Sequence, residues 1–383
     1  MKRLLGILCA TVLCFGLLPF TSSAVDLNIP AKSAFLMDVA TGAVLYEHNA
    51  TEALPPASVT KVMTMLLIME AIDDGRIGWE DTVTASEMAA AKGGSQVYLK
   101  AGETMTVTDM LKAIAVSSAN DCACAMAEHL AGSESAFVDA MNAKAKELGM
   151  ENTHFVNCTG LDDDPEAKNH LTSARDIALM SRELLKNHPD IQKFTTIWMD
   201  TLRNGTFGLS NTNKMVRFYS GCTGLKTGFT STAGYCLSAS AQRDGLELVA
   251  VVMGCESSKE RFAACKSLLD YGFANFAIVS PELEQTLSVP VKLGIADTVN
   301  AVPSESSALL VEKAQKSSVN IKTELAESVE APVSKGQRLG TMTITAGEQI
   351  LKQIPLVADT GVPRLSFGQM FLRMLKAIAF AKS

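Results

Sequence analysis

No glycine-rich phosphate loop and no His/Cys cluster at zinc-ligand spacing occurs in the 383 residues. The simplest signatures of a nucleotide enzyme and of a zinc site are therefore missing, and neither a metal nor a cofactor is expected. Positive charge is in short supply as well. The 34 Lys and Arg stand against 41 Asp and Glu, a net charge of −7, which argues against a nucleic-acid partner. Charged residues are 20% and apolar residues 47% of the chain, the balance of a globular protein rather than a disordered one. The length admits two or three domains, one with a large core.

Long apolar runs are confined to the start. Lys2 and Arg3 precede the apolar stretch Leu4–Phe20, and Ser22-Ser23-Ala24 supplies small residues at cleavage positions. This reads as an export signal over residues 1–24, with a mature start near Val25. The run is also nearly long enough to span a bilayer, so an uncleaved anchor is the competing reading. Cys9 and Cys14 lie inside the stretch, which does not fit a lipoprotein site. Seven cysteines follow: Cys122, Cys124, Cys158, Cys222, Cys236, Cys255 and Cys265. The odd number leaves at least one unpaired in an exported monomer. Cys236 and Cys255 fall on neighbouring strands of an expected hairpin, yet either serves equally as a small buried apolar side chain. Unpaired thiols in a reducing setting are the expectation, and a metal or redox role for Cys122-Ala123-Cys124 is the minor alternative.

Three short strings carry chemistry: Ser58-Val59-Thr60-Lys61, Ser118-Ala119-Asn120 and Lys226-Thr227-Gly228. Each alone is commonplace. Their order, their wide spacing and the export signal give them meaning together. Ser-x-x-Lys on a helix sets a hydroxyl and an amine one turn apart on one face. A serine is a weak nucleophile, and a close neutral lysine can take its proton. Ser118 and Asn120 add a hydroxyl to relay a proton and an amide to hold a carbonyl. Lys226 and Thr227 add a cation and a hydroxyl suited to a carboxylate. Ser58 is expected in the first turn of a helix after Pro55-Pro56, within its positive field. The second string is expected as a loop interrupting a helical region over 107–126. The third is expected to run into a strand, with Gly224 and Gly228 allowing close approach.

Around these strings the patterning is mixed. Residues 34–48 alternate into a hairpin turning at 40–42. Residues 136–148 and 172–186 read as amphipathic helices, the latter capped by Thr172 or Ser173. Residues 234–241 and 246–254 alternate about Asp244-Gly245, a hairpin signal, and 259–276 returns to helical periodicity. The fold class is therefore α+β, an antiparallel sheet covered by helices over 25–280. Residues 281–361 read as a small all-β domain, a spacer or interaction module. From Val362 onward there are no acids and four bases, Arg364, Arg373, Lys376 and Lys382. Set on a helix from Phe367, residues Phe367, Met370, Phe371, Met374, Leu375 and Ile378 share one face. The stretch 362–383 reads as an amphipathic helix lying on an anionic membrane surface, with packing on its own protein as the alternative.

The chain resembles the serine D-alanyl-D-alanine carboxypeptidases, the low-molecular-mass penicillin-binding proteins of the peptidase S11 family. The likeness rests on Pro56 to Lys61, on Gly93-Gly94-Ser95-Gln96 and Gly102-Glu103, on Asn152 to Phe155 with Gly160-Leu161, and on Thr223 to Thr230 with Ala233 to Cys236. It is dense over roughly residues 30–280 and looser beyond. Cys222-Thr223 stands where the family often has an acid before the glycine, and Phe229 where it can have a polar residue.

The resemblance implies a β-lactamase/transpeptidase-like fold and an envelope location on the outer face of the cytoplasmic membrane. It implies a peptidoglycan stem peptide ending in D-Ala-D-Ala as substrate, with β-lactams as covalent inhibitors. It assigns catalysis to Ser58, Lys61 and Ser118, and substrate binding to Asn120, Lys226, Thr227, Gly228, Phe229 and Arg261. Backbone amides of Ser58 and Phe229 would form the oxyanion hole, and Lys61 would be neutralised by burial and by Lys226. A class A β-lactamase shares the strings, but the neighbours of Glu166 do not resemble its deacylating loop. An endopeptidase acting on cross-links and a non-catalytic penicillin- or wall-binding module remain as alternatives.

Overall fold

The computed structural model describes residues 27–283 and 285–380, with the side chains of 376–380 left aside. The export signal, its cleavage point and Lys382 lie outside the described residues.

Five antiparallel strands form the central sheet. They are β1 (Ser33–Asp38), β2 (Val44–His48), β3 (Cys222–Thr230), β4 (Gly234–Arg243) and β5 (Leu246–Cys255), in the order β2-β1-β5-β4-β3. Both faces are buried, and strand alternation divides the residues between them. Phe35, Met37, Val249, Val251 and Met253 face one core, while Ala34, Leu36, Leu248, Ala250 and Val252 face the other. The β4–β5 turn follows its sequence signal, for Asp244 and Gly245 both have positive φ (49° and 80°). A two-residue turn of that kind matches the strand twist.

The first core is covered by helices. These are α1 (Lys61–Asp73), α2 (Val107–Ser117), α3 (Asn120–Ala131), α4 (Glu134–Glu147) and α5 (Ala174–Asn187). The starts of α4 and α5 are set by side-chain caps. Ser133 Oγ accepts from Ala136 N, and Ser173 rather than Thr172 accepts from Asp176 N. Helix α6 (Ser258–Asn275) covers the opposite face, with Ser257 and Glu260 forming a reciprocal capping box. The α2–α3 break falls at Ser118, whose φ of 65° ends α2 in the left-handed region.

Helix α1 begins later than the sequence reading places it. Residues Ala57–Thr60 form a separate 3-10 turn, and Lys61 is the first α-helical residue. The cause is a non-helical set of bonds. Thr60 Oγ1 donates to Ala57 O at 2.8 Å, Val59 N donates to Pro56 O at 3.3 Å, and Ala57 has φ of 50°.

Beyond α6 the chain turns to β structure. Six strands between Leu287 and Ala358 build a second sheet with its own core of Val289, Val291, Val299, Met342, Ile344, Ile354 and Leu356. A short ladder, Phe276–Val279 with Leu309–Glu312, joins this region to the end of α6. A last helix, α7 (Phe367–Phe380), follows.

Candidate active site

The Ser58 turn, α1, the α2–α3 break and the β3 edge meet at one place. Ser58 is half-buried and Lys61 is fully buried. The Lys61 amine donates to Ser58 Oγ at 3.0 Å and to the Thr159 carbonyl at 2.8 Å. Burial lowers its pKa from 10.5 to about 7, outweighing the nearby Cys158 and Asp121, which pull the other way. A lysine so placed is about half neutral near pH 7.

Gly228 is why β3 can approach the nucleophile. A Cβ there would lie 2.6 Å from Pro56 O, 3.1 Å from Val59 N and 3.2 Å from the Ala57 Cβ. Only glycine lets the third string press against the first without displacing backbone. Gly160 does the same from the other side, since a Cβ on it would sit on the Ala57 carbonyl.

Lys226 is buried, and its amine donates to Thr227 O at 2.9 Å. Its pKa lies well below 10.5, first through burial and then through the charges of Lys61 and Arg261. The sequence reading assigns part of the Lys61 shift to Lys226. Burial dominates at both amines, and the Lys61 charge adds to the lowering at Lys226. Two buried amines in one cleft cannot both hold protons cheaply. Thr227 Oγ1 donates to Thr212 Oγ1 at 2.7 Å, and Thr212 N donates to Val116 O at 3.1 Å. That chain ties the third string to the end of α2, next to the second.

Asn120 opens α3. Its Nδ2 donates to Gly93 O at 2.7 Å, and its backbone N–H donates to Ser95 O at 2.7 Å. Its Oδ1 is buried and accepts nothing, an acceptor held ready for a donor. Ser118 is buried two residues before it. The charge of the adjacent Asp121 is felt at Lys61, which places the second string beside the first. Phe229 is 53% exposed and stacks on Tyr235 with centroids 4.3 Å apart. Arg261 reaches from α6 to donate to Gly228 O at 2.9 Å and Cys236 O at 3.5 Å. Its guanidinium also lies over the Tyr235 and Phe262 rings, 5.3 Å and 4.8 Å from their centroids, and its charge reaches Lys226.

Several supporting residues escape sequence reasoning. His170 is buried, and its Nδ1 accepts from Val156 N at 3.0 Å. Its Nε2 therefore carries the proton and donates to Thr60 Oγ1 at 2.8 Å. Burial first, then the charges of His154 and Lys61, hold its pKa down at about 4. A neutral imidazole thus braces the Ser58 turn. Thr64 Oγ1 donates to Cys158 O at 2.6 Å and steadies the segment that offers Thr159 O. The only signal for this segment was Gly160-Leu161. All seven described cysteines are free, and no group of three or more metal-ligating side chains is found among the described residues.

A serine, a near-neutral lysine, a second buried amine and an unsatisfied amide oxygen in one cleft define a serine acyl-transfer enzyme. Residues 20–257 match the peptidase S11 family, D-alanyl-D-alanine carboxypeptidase, and residues 283–364 match the penicillin-binding protein 5 C-terminal domain. The chain is similar to D-alanyl-D-alanine carboxypeptidase DacF of Bacillus subtilis, at 42% identity over 96% of each chain. Its fold resembles penicillin-binding protein 5 of Haemophilus influenzae, with a TM-score of 0.73, 30% identity, and 88% and 98% of the two chains covered. It also resembles penicillin-binding protein D2 of Listeria monocytogenes in an ampicillin-bound form, with a TM-score of 0.59, 33% identity, and 65% and 100% covered. The chain belongs to the D-alanyl-D-alanine carboxypeptidase family and is a serine-type hydrolase.

Proposed function

We propose that Ser58 removes the terminal D-alanine of peptidoglycan stem peptides through an acyl-enzyme. The observation that carries this reading is the buried Lys61 amine, near-neutral and 3.0 Å from Ser58 Oγ. Lys61 takes the Ser58 proton as Oγ attacks the penultimate carbonyl. Backbone amides of Ser58 and Phe229 receive the oxyanion, each donor typically worth about 3 kcal/mol. Ser118 passes the proton to the leaving D-alanine amine. Asn120 Oδ1, empty at rest, accepts the substrate amide N–H. The terminal carboxylate meets Lys226 and the Thr227 hydroxyl, and its charge favours the protonated Lys226 that burial otherwise disfavours. Arg261 adds positive charge from behind and fixes the Gly228 carbonyl. Water then releases the shortened peptide, and a β-lactam occupies the same place as a slowly leaving acyl group.

Residues 25–280 carry this chemistry, 281–361 act as a spacer, and 362–383 rest on the membrane at the outer face of the cytoplasmic membrane. Support for the last assignment is the uncovered apolar face of α7. Phe367, Met370, Phe371, Met374 and Leu375 are all exposed, while Arg373 pairs with Asp297 at 2.5 Å. No described helix is long and apolar enough to cross a membrane.

Ser58→Ala tests the central step. The variant is expected to release no D-alanine from a D-Ala-D-Ala pentapeptide and to form no adduct with penicillin by intact mass. Retention of both would refute the assignment.

A further inference from the structure

The cysteines singled out by the sequence, Cys122-Ala123-Cys124, do not act as a pair, since residues two apart on a helix point to different faces. Cys124 meets a thiol from another segment instead. Cys124 Sγ lies 3.8 Å from Glu134 Oε2 and 4.0 Å from Glu128 Oε1, and Cys158 Sγ donates to Glu134 Oε1 at 3.2 Å. Both sulfurs thus stand against one carboxylate, and the two thiols also share a hydrogen bond. Both cysteines are fully buried, whereas Glu134 and its ion-pair partner Lys92, 2.5 Å away, are only partly so. At this contact the thiols lie one side chain below solvent.

The cluster is joined to the acyl-transfer site by backbone. Cys158 N donates to Glu134 Oε1 at 3.2 Å, and Cys158 O accepts from Thr64 Oγ1 at 2.6 Å. The next carbonyl, Thr159 O, accepts from the Lys61 amine at 2.8 Å. Cys124 lies one helical turn beyond Asn120 on the same face of α3. A covalent bond between Cys124 and Cys158 therefore ties the helix of the second string to the carbonyl that holds Lys61.

We propose that Cys124 and Cys158 form a redox modification site, which a peroxide oxidises to a disulfide, and that the disulfide slows acylation of Ser58. The effect on Ser58 rests on the acyl-transfer reading above; the bond itself does not. The Cys158 sulfur attacks one peroxide oxygen while its proton passes to Glu134. The O–O bond breaks, the departing hydroxide takes that proton and leaves as water, and Cys158 becomes a sulfenic acid. The Cys124 sulfur then attacks the Cys158 sulfur, the S–O bond breaks, and the hydroxide leaves as water with the Cys124 proton. Two thiols are oxidised by two electrons, and one peroxide is reduced to two waters. A disulfide holds its sulfurs about 2 Å apart, closer than any two thiols in contact. The 157–160 segment and α3 must draw together, and Thr159 O shifts relative to Lys61.

The test treats the purified protein with hydrogen peroxide. Disulfides are mapped by mass spectrometry of non-reduced peptides, and penicillin acylation is timed in parallel. A Cys124–Cys158 link is expected together with roughly tenfold slower acylation, and dithiothreitol should reverse both. That reversal separates the effect from methionine oxidation. Cys122→Ala should keep the link and the response. Cys124→Ala should acylate normally and hold its rate after peroxide. No link at this pair, a completed link with unchanged acylation, or the same reversible loss in Cys124→Ala would overturn the proposal. Should Cys124→Ala fail to fold, the mapped link and its reversal in the wild type decide the question. No acylation of the untreated wild type would overturn the acyl-transfer reading, while the mapped link still decides the redox site.

Discussion

Penicillin acylation of Ser58 should follow the ionisation of Lys61. The perturbation is pH. Burial sets the Lys61 pKa at about 7 against 10.5 for a free lysine. At pH 7 about half of the molecules then carry a neutral amine, whereas an unperturbed lysine would offer roughly one in 3,000. The single-turnover acylation rate should rise about tenfold per pH unit below 7 and level off above about 8. Stopped-flow labelling with a fluorescent penicillin between pH 5.5 and 9.5 reads this directly. The same group has a stability consequence. Its folded pKa lies below its unfolded one, so the folded state binds fewer protons between about 7 and 10.5, and stability rises with pH across that window. The gap corresponds to about 5 kcal/mol of cost, fully present below pH 7. Lys61→Met should therefore lose acylation yet melt higher than the wild type near pH 7, with the gap closing towards pH 10. A flat acylation profile from pH 5.5 to 9.5 would refute the role of a neutral Lys61.

Gly228→Ala should cost acylation about a hundredfold, since a Cβ 2.6 Å from Pro56 O must push the Ser58 turn and β3 apart; near-wild-type acylation with an unchanged Tm would show that the contact is dispensable. Truncation after Ser366 should leave penicillin acylation intact and abolish co-sedimentation with anionic phosphatidylglycerol vesicles, whereas undiminished co-sedimentation would remove α7 from the membrane reading.

How much was legible can be argued residue by residue. The Asp244-Gly245 turn and a cap at Thr172 or Ser173 depend on partners within a few positions, so linear sequence encodes them, although which of the two residues caps was left to the structure. The three strings were legible as chemistry because side-chain type survives without coordinates. The start of α1 was misplaced because the bonds favouring a 3-10 turn include His170, 110 residues away. Cys124 read as a partner of Cys122 because the two are neighbours in the chain, whereas folding sets Cys124 against Cys158.

Sequence by itself determined which functional groups are available, in what order, and on which kind of element each sits. Tertiary structure decided their state. Lys61 is near-neutral because folding strips it of water, and Lys226 is depressed first by the same burial and then by the nearby charges of Lys61 and Arg261. Asn120 keeps an empty acceptor because the fold buries Oδ1 with no donor against it, while its N–H groups are fixed on Gly93 O and Ser95 O. Desolvation and charge proximity depend on distances through space, and those are fixed only when segments a hundred residues apart pack together.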